Sequence, residues 1–287
     1  YAMDANLAGA VNNVAVGHEA LSAVTTADNN TAIGYQALNS TATAQNNTAV
    51  GYLALEELTF NGNSYNTAVG MEAGRELTTG IQNVFIGGFA GQNSTDVDQS
   101  VLIGYGAGDS VLTSDADGTV GIGAFAASTL TSGKRNLAVG YYALKSLTVG
   151  DDNIAIGYQA LTNLGTSTFS NRNIAIGTYA MLSAANNNIN DNIAIGYGAL
   201  SQSVHSDGDN NVAIGSYAMS DLTAGAWAMV GVGQNALRRT NHADSVGSVA
   251  VGFSALGSNV SGIGNVAVGF QALMDMTTGD KNTAVGY

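Results

Sequence analysis

Cysteine and proline are both absent from the 287 residues, and only 10% of the chain is charged. Without cysteine there is no disulfide framework and no thiolate metal site, a condition compatible with an extracellular or a cytosolic home. Without proline every residue keeps its backbone N–H and none has φ fixed near −65°. That fits a chain in which nearly every segment donates to a neighbouring strand or turns at an unusual angle. Charge is sparse beside the roughly 25% of a typical soluble domain. Eight basic residues against 21 acidic ones leave a net charge of −13, which opposes nucleic acid and anionic membrane as partners by repulsion. No run approaches ~18 consecutive apolar residues, and Tyr1 opens the chain without a basic and apolar leader.

Glycine is what the chain has in quantity, with 38 copies. One of them recurs at positions 17, 34, 51, 70, 87, 104, 123, 140, 157, 177, 196, 215, 233, 252, 269 and 286, at spacings of 17 to 20 residues. A repeat of this length decides the architecture before any local propensity does. The residue before the glycine is Val or Ile in all sixteen units, and the residue two places earlier is β-branched in all but one, where Leu137 stands. The intervening positions carry mostly Asn and Ala, as at Asn47 and Ala49 or Asn153 and Ala155. Alternation of this kind defines a strand with one buried face.

The sequence predicts an all-β parallel β-solenoid of sixteen coils spanning 1–287 as one continuous array. Val16, Ile33, Val50 and their equivalents are expected inside, and Asn side chains are expected to hydrogen-bond from coil to coil. The invariant glycine implies positive φ or a close backbone approach. Three residues after it stands Ala in every unit that extends so far, and Leu or Met commonly follows. Segments such as Ala143–Gly150 fit either one helical turn or a second bent strand, which periodicity over so few residues does not decide. Four consecutive units place Gly74, Gly91, Gly108 and Ala127 where Leu is usual, while the strands hold Phe85 and Leu102 where Ala is usual. Exchanged volumes predict that the two positions share one compartment.

Asn47-Thr48-Ala49-Val50-Gly51 and Asn153-Ile154-Ala155-Ile156-Gly157 resemble the head repeats of YadA-like trimeric autotransporter adhesins. They are also similar to the Gly-Tyr-Gln-Ala-Leu repeats of some bacteriophage tail fibres and bacterial surface proteins. The resemblance covers the whole chain. It implies a left-handed β-roll, a homotrimer about one axis, exposure outside a cell or on a virion, and a part in attachment. The coils here run longer than the adhesin repeat. Oligomerisation has a separate physical argument: a thin solenoid has much surface for its volume, yet this one is 45% hydrophobic. The alanine columns are the expected contacts between chains.

Several clusters invite chemistry. Asp96/Asp98, Asp115/Asp117 and Asp207/Asp209 have the Asp-x-Asp spacing that calcium favours, but lack the rest of an EF-hand loop. His18, His205 and His242 fall in three different coils with no accompanying column of acids or nucleophiles. Glu56-Glu57 and Glu72/Glu76 raise the paired carboxylates of a glycosidase, although nothing in the pattern builds a cleft and Glu72, Arg75 and Glu76 read as a local ion-pair cluster. Tyr35, Tyr52, Tyr105, Tyr141, Tyr158 and Tyr197 follow the glycine as a column that either closes each coil or offers a stacking face to sugars. The expectation is a non-enzymatic fibre or appendage segment, with no catalytic residue, cofactor or metal assigned. Its partners are other copies of itself and a cell-surface glycan or receptor, without membrane insertion; the alternative is a glycan- or protein-binding module. Because Tyr1-Ala2-Met3 matches Tyr217-Ala218-Met219 and the sequence stops at Gly286-Tyr287, further coils are expected at both ends.

Overall fold

The computed structural model describes residues 1–4, 8–164, 170–184, 188–202, 208–222, 227–240, 246–259 and 261–287. The chain is all-β, a parallel β-solenoid of about 14–16 turns. It divides into two compact units, Tyr1–Val139 and Gly140–Tyr287. Each unit carries eight three-residue strands, one per coil, from Val14–Val16 to Leu137–Val139 in the first and from Ile154–Ile156 to Thr283–Val285 in the second. Neighbours pair in parallel without slippage, so Ala15 stands beside Ala32, Ala32 beside Ala49, and Ala175 beside Ala194. Among the described residues the only helix is a single 3-10 turn at Ser114–Ala116.

The invariant glycine sits where each strand ends. Its φ is +131° at Gly17, +140° at Gly34 and +133° at Gly157, a region L side chains rarely enter. A Cβ at Gly34 would stand 2.2 Å from the carbonyl oxygen of Gly51, and one at Gly157 would stand 2.7 Å from that of Gly177. Both anticipated reasons for the glycine therefore hold at once. The segment after it is neither helix nor strand. Its residues turn through left-handed backbone, as at Gln36 and Leu38 with φ of 52° each, and Gln159 and Leu161 with φ of 51° and 52°. Such residues cost roughly 1–2 kcal/mol each. Hydrogen bonds to adjacent coils offset that cost: Gln36 N–H donates to His18 at 2.9 Å and Leu38 N–H to Ala54 at 3.0 Å. A proline at any of these positions would lose both the angle and the donor.

The strand faces are reversed from expectation. Ala32, Ala49, Ala155 and Ala175 are fully buried, whereas Ile33 is 39% exposed and Ile214 37%. Val16, Ile33, Val50 and their equivalents therefore face outward, and the alanines are interior residues of each coil instead of contacts between chains. The reason is the width of the interior. Small Ala side chains on the strand share the interior with Leu38, Leu55, Leu144 and Leu161 of the turn segments, all fully buried. A β-branched residue in place of each Ala would overfill that space.

The asparagines share the interior face and form the anticipated ladder. Asn47 N–H and Nδ2 both donate to Asn30 Oδ1, at 2.9 and 3.1 Å, and Asn83 repeats this on Asn66. In the second unit Asn173 bonds Asn153 and Asn192 bonds Asn173 in the same way. The remaining amide proton goes to a loop carbonyl, as from Asn30 to Ala44 and Asn173 to Ile189. Buried amides are tolerated because their donors and acceptors are used.

The volume exchange is also present. A Cβ on Gly74 would lie 2.6 Å from the ring of Phe85, and one on Gly91 3.0 Å from the same ring. Leu102 occupies the space opened by Gly108, 2.7 Å from that glycine's virtual Cβ, and by Gly121, at 3.1 Å.

Two substitutions distinguish the faces. Ala155→Asp is expected to lower unfolding stability by roughly 3 kcal/mol or more through an uncompensated buried charge. Ile156→Asp, on the outward column, is expected to stay within about 1 kcal/mol in the unassembled chain. Chemical denaturation of both variants checks this, and equal destabilisation would contradict the assignment of faces. In the same assay Gly157→Ala is expected to cost about 2 kcal/mol or more, because positive φ and backbone contact both oppose a methyl group.

Candidate binding face

Beyond the corner glycine the coils present side chains to solvent, and aromatic residues recur in two adjacent columns. Tyr35, Tyr52, Tyr105, Tyr141, Tyr158 and Tyr197 are 40–54% exposed. His18, Tyr35 and Tyr52 stack at centroid separations of 5.4 and 5.3 Å, and Phe253, Phe270 and Tyr287 stack at 5.0 and 5.3 Å. Elsewhere the ring one residue further along alternates with them edge to face. Tyr158, Tyr179, Tyr197 and Tyr217 form such a series at 5.4, 5.7 and 5.2 Å. Phe89, Tyr105 and Phe125 repeat it in the first unit. Parallel pairing in strict register is what lines up these rings.

Small residues place them. A Cβ on Gly106 would meet the ring of Phe125 at 2.9 Å, and one on Gly198 would meet Tyr217 at 3.1 Å. These glycines leave space for a ring from the following coil. The phenols are held above their ordinary value where they meet: Tyr141 and Tyr197 chiefly through hydrogen bonds with Tyr142 and Tyr217, and Tyr158 chiefly through desolvation. Nucleophilic chemistry by phenolate at neutral pH is therefore further out of reach than for a free tyrosine.

The carboxylates have structural partners. Asp98 Oδ1 accepts from Ile81 N–H at 2.7 Å, and Asp117 Oδ1 accepts from Asp98 N–H at 2.8 Å. Asp96 accepts from the backbone of Ser114 at 3.1 Å, and Asp115 lies 3.7 Å from Lys134 Nζ. Asp209 accepts from Asn190 N–H at 2.7 Å, while Asp207 lies outside the described residues. Asn171, Asn190 and Asp280 serve preceding coils in the same manner. This column, six residues before the corner glycine, escaped the sequence reading. Its signal was the recurrence of Asp, Asn or Gln at that offset, as in Asp28, Asp98, Asp117 and Asn190.

Arg75 bonds Glu56 at 3.2 Å and Glu72 at 3.3 Å, so its partners are Glu56 and Glu72, and Glu76 is not among the contacts. Gln92 completes the cluster with a 2.6 Å hydrogen bond to Glu72. These bonds tie carboxylates across adjacent coils. His18 lies on the exterior, stacked on Tyr35 and 3.8 Å from Glu19; His205 and His242 lie outside the described residues. Among the described residues no group of three or more His, Asp or Glu is arranged to hold a metal, and no helix is long and apolar enough to cross a membrane.

Comparison with models of protein families finds no match, and neither does comparison with curated proteins.

Burial pushes the Asp98 carboxyl above its ordinary range, with Asp117 and Asp96 adding to the rise and the Ile81 N–H opposing it. The native state thus takes up a proton before the unfolded chain does, so this group makes stability rise as pH falls through its folded value. Asp98→Asn keeps an acceptor for Ile81, as Asn171 and Asn190 do in their own coils, and removes the charge. The variant is expected to melt at or above the parent temperature at pH 7, with the difference fading as pH falls through the raised folded value and the parent carboxyl takes up its proton. Melting curves across that range check it; a lower melting temperature for the variant at pH 7 would contradict the assigned role.

Proposed function

We propose that this chain is a structural segment of an extracellular fibre or appendage, a tail-fibre or surface-adhesin shaft or head that supports attachment. The observation that carries this reading is the outward face of the strands. In each unit eight strands present Val, Ile, Leu or Thr in two parallel columns, with alanine and asparagine turned inward. At ~4.8 Å per strand the columns extend over roughly 34 Å in each unit. A soluble monomer seldom leaves so continuous an apolar strip in water. Packing it against other copies of the chain removes the exposure, and three copies arranged as a left-handed β-roll trimer about one axis satisfy it symmetrically.

The inventory of polar groups supports the same reading. Asn amides, Asp carboxylates and backbone N–H groups are engaged between coils, which gives stiffness along the stack. A surface location, on a cell or a virion, matches the resemblance noted in the sequence. With a charge of −13 the partners are proteins or glycans in preference to nucleic acid. The exposed rings favour a second role, in which the tyrosine face itself contacts a surface glycan.

Light scattering of the purified chain is expected to report about three times the 28.9 kDa chain mass. Ile156→Asp combined with Ile176→Asp is expected to return the species to one chain while leaving the coil's circular dichroism intact. A parent that stays at 28.9 kDa at micromolar concentration would overturn the trimer reading.

A further inference from the structure

The ring columns are interrupted in the coil that carries Gly233. There the two residues after the glycine are Gln234 and Asn235, and in the next coil Phe253 is followed by Ser254. Beside this interruption lies an open cavity of about 150 Å³, lined by Asn235, Arg238, Arg239, Ser254, Ser258 and Met274 around Gly257. Gly257 stands five residues after its corner glycine, where the two adjacent coils carry Arg238 and Met274. A glycine between those long side chains opens the cavity, and small polar residues replace the rings at its edge.

Two arginines meet there in a chain that has only eight basic residues. Arg75 and Arg172 elsewhere are committed to short contacts with carboxylates, Arg172 through two bonds of 2.6 and 2.8 Å to Asp191. The pair at the cavity is less engaged. Arg238 Nε lies 3.5 Å from Asp221 Oδ2, yet it is buried without a hydrogen bond, one of two such side-chain atoms among the described residues. Its guanidinium also sits over Tyr217, with 5.7 Å from carbon to ring centroid, which fixes its plane. Arg239, exposed and in register with Asp221, makes no ion pair among the described residues.

We propose that this cavity binds the carboxylate of an acidic saccharide, with Arg239 and Arg238 holding the anion and Asn235, Ser254 and Ser258 meeting the ring hydroxyls. A planar guanidinium matches a carboxylate through two parallel N–H donors, and charge-assisted bonds of this kind supply both affinity and orientation. The volume is about that of five water molecules in the liquid, room for one sugar unit instead of a folded ligand. Openness to solvent lets a polymer continue past it. The chain's negative charge opposes densely charged polyanions, so a sparsely charged sugar acid with hydroxyl groups fits better than a nucleic acid. The site lies within one unit and does not depend on trimer assembly.

Titration calorimetry on the full chain tests it with a glucuronate-containing hexasaccharide, the same compound with its carboxyls reduced to alcohols, and inorganic sulfate. Saturable binding of the acidic compound is expected, weakened about tenfold or more by carboxyl reduction and by Arg239→Gln. Affinity should fall as salt rises, with the melting temperature of Arg239→Gln unchanged. Should that variant melt early, Ser258→Tyr, which fills the cavity from the next coil, is expected to abolish binding. Absence of saturable heat, equal affinity for the reduced compound, unchanged binding in a folded Arg239→Gln or Ser258→Tyr chain, or sulfate binding as tightly as the saccharide would each overturn the assignment. Light scattering on the same samples separates this outcome from the trimer reading.

Discussion

Backbone meets backbone at the corner glycine, and that approach sets the spacing on which every other contact depends. Gly34 N–H donates to Val16 at 2.8 Å, and Gly51 N–H donates to Ile33 at the same distance. There is no room between successive glycines for even a methyl group. Once one corner is stacked on the next, equivalent residues of adjacent coils stand side at side, at the separation of paired strands. Side-chain columns then follow by geometry. Asparagine finds asparagine, tyrosine finds tyrosine, and a repeated small error in residue type would be repeated along the whole stack.

A narrow interior is the second consequence. Two walls this close have space for one small and one large residue per level, and the chain distributes them as Ala with Leu, Phe85 with Gly74 and Gly91, or Leu102 with Gly108 and Gly121. Each buried Leu still contributes on the order of 1.5–3 kcal/mol. Polar levels are equally regular. Where serine replaces asparagine, Ser100 Oγ accepts the Thr119 N–H at 3.2 Å and Ser248 Oγ accepts that of Asn265 at 3.2 Å, so the ladder continues with a shorter side chain.

Much of this was written plainly in the sequence. The glycine period gave the coil, alternation gave the strand, and the compensating volumes at positions 74, 85, 91, 102 and 108 identified two walls of one compartment. Sidedness was not legible by the usual preference. Val and Ile normally mark the buried face, and only the width of the interior reverses the choice. The volume exchange already held the correction, because it placed the Ala position opposite Leu, and therefore inside. The left-handed turns were illegible for another reason: Gln36, Leu38 and Gln159 are not residues that favour positive φ, and their angles are imposed by hydrogen bonds to other coils. At the candidate site the doublet Arg238-Arg239 was visible as letters, but the cavity arises from Gly257 one coil later, a neighbour only in three dimensions.

In a repeat of this kind the columns and the exceptions answer to different constraints. A column residue is fixed by its equivalents above and below, so Ala155, Asn173 or Gly157 can change only at the expense of adjacent coils. Outward positions are freer, and there the Val and Ile pattern persists in all sixteen units although the monomer's own interior does not need it. Persistence on an outer face is what the proposed self-assembly would require. A local break such as Asn235, Gly257 and the two arginines has the opposite character. It adds nothing to the ladder and leaves a buried Arg238 donor without a hydrogen bond. Uniform columns are therefore the basis of the proposed assembly, and the interruption that combines a cavity with two adjacent arginines, one of them only loosely paired, is the basis of the proposed recognition.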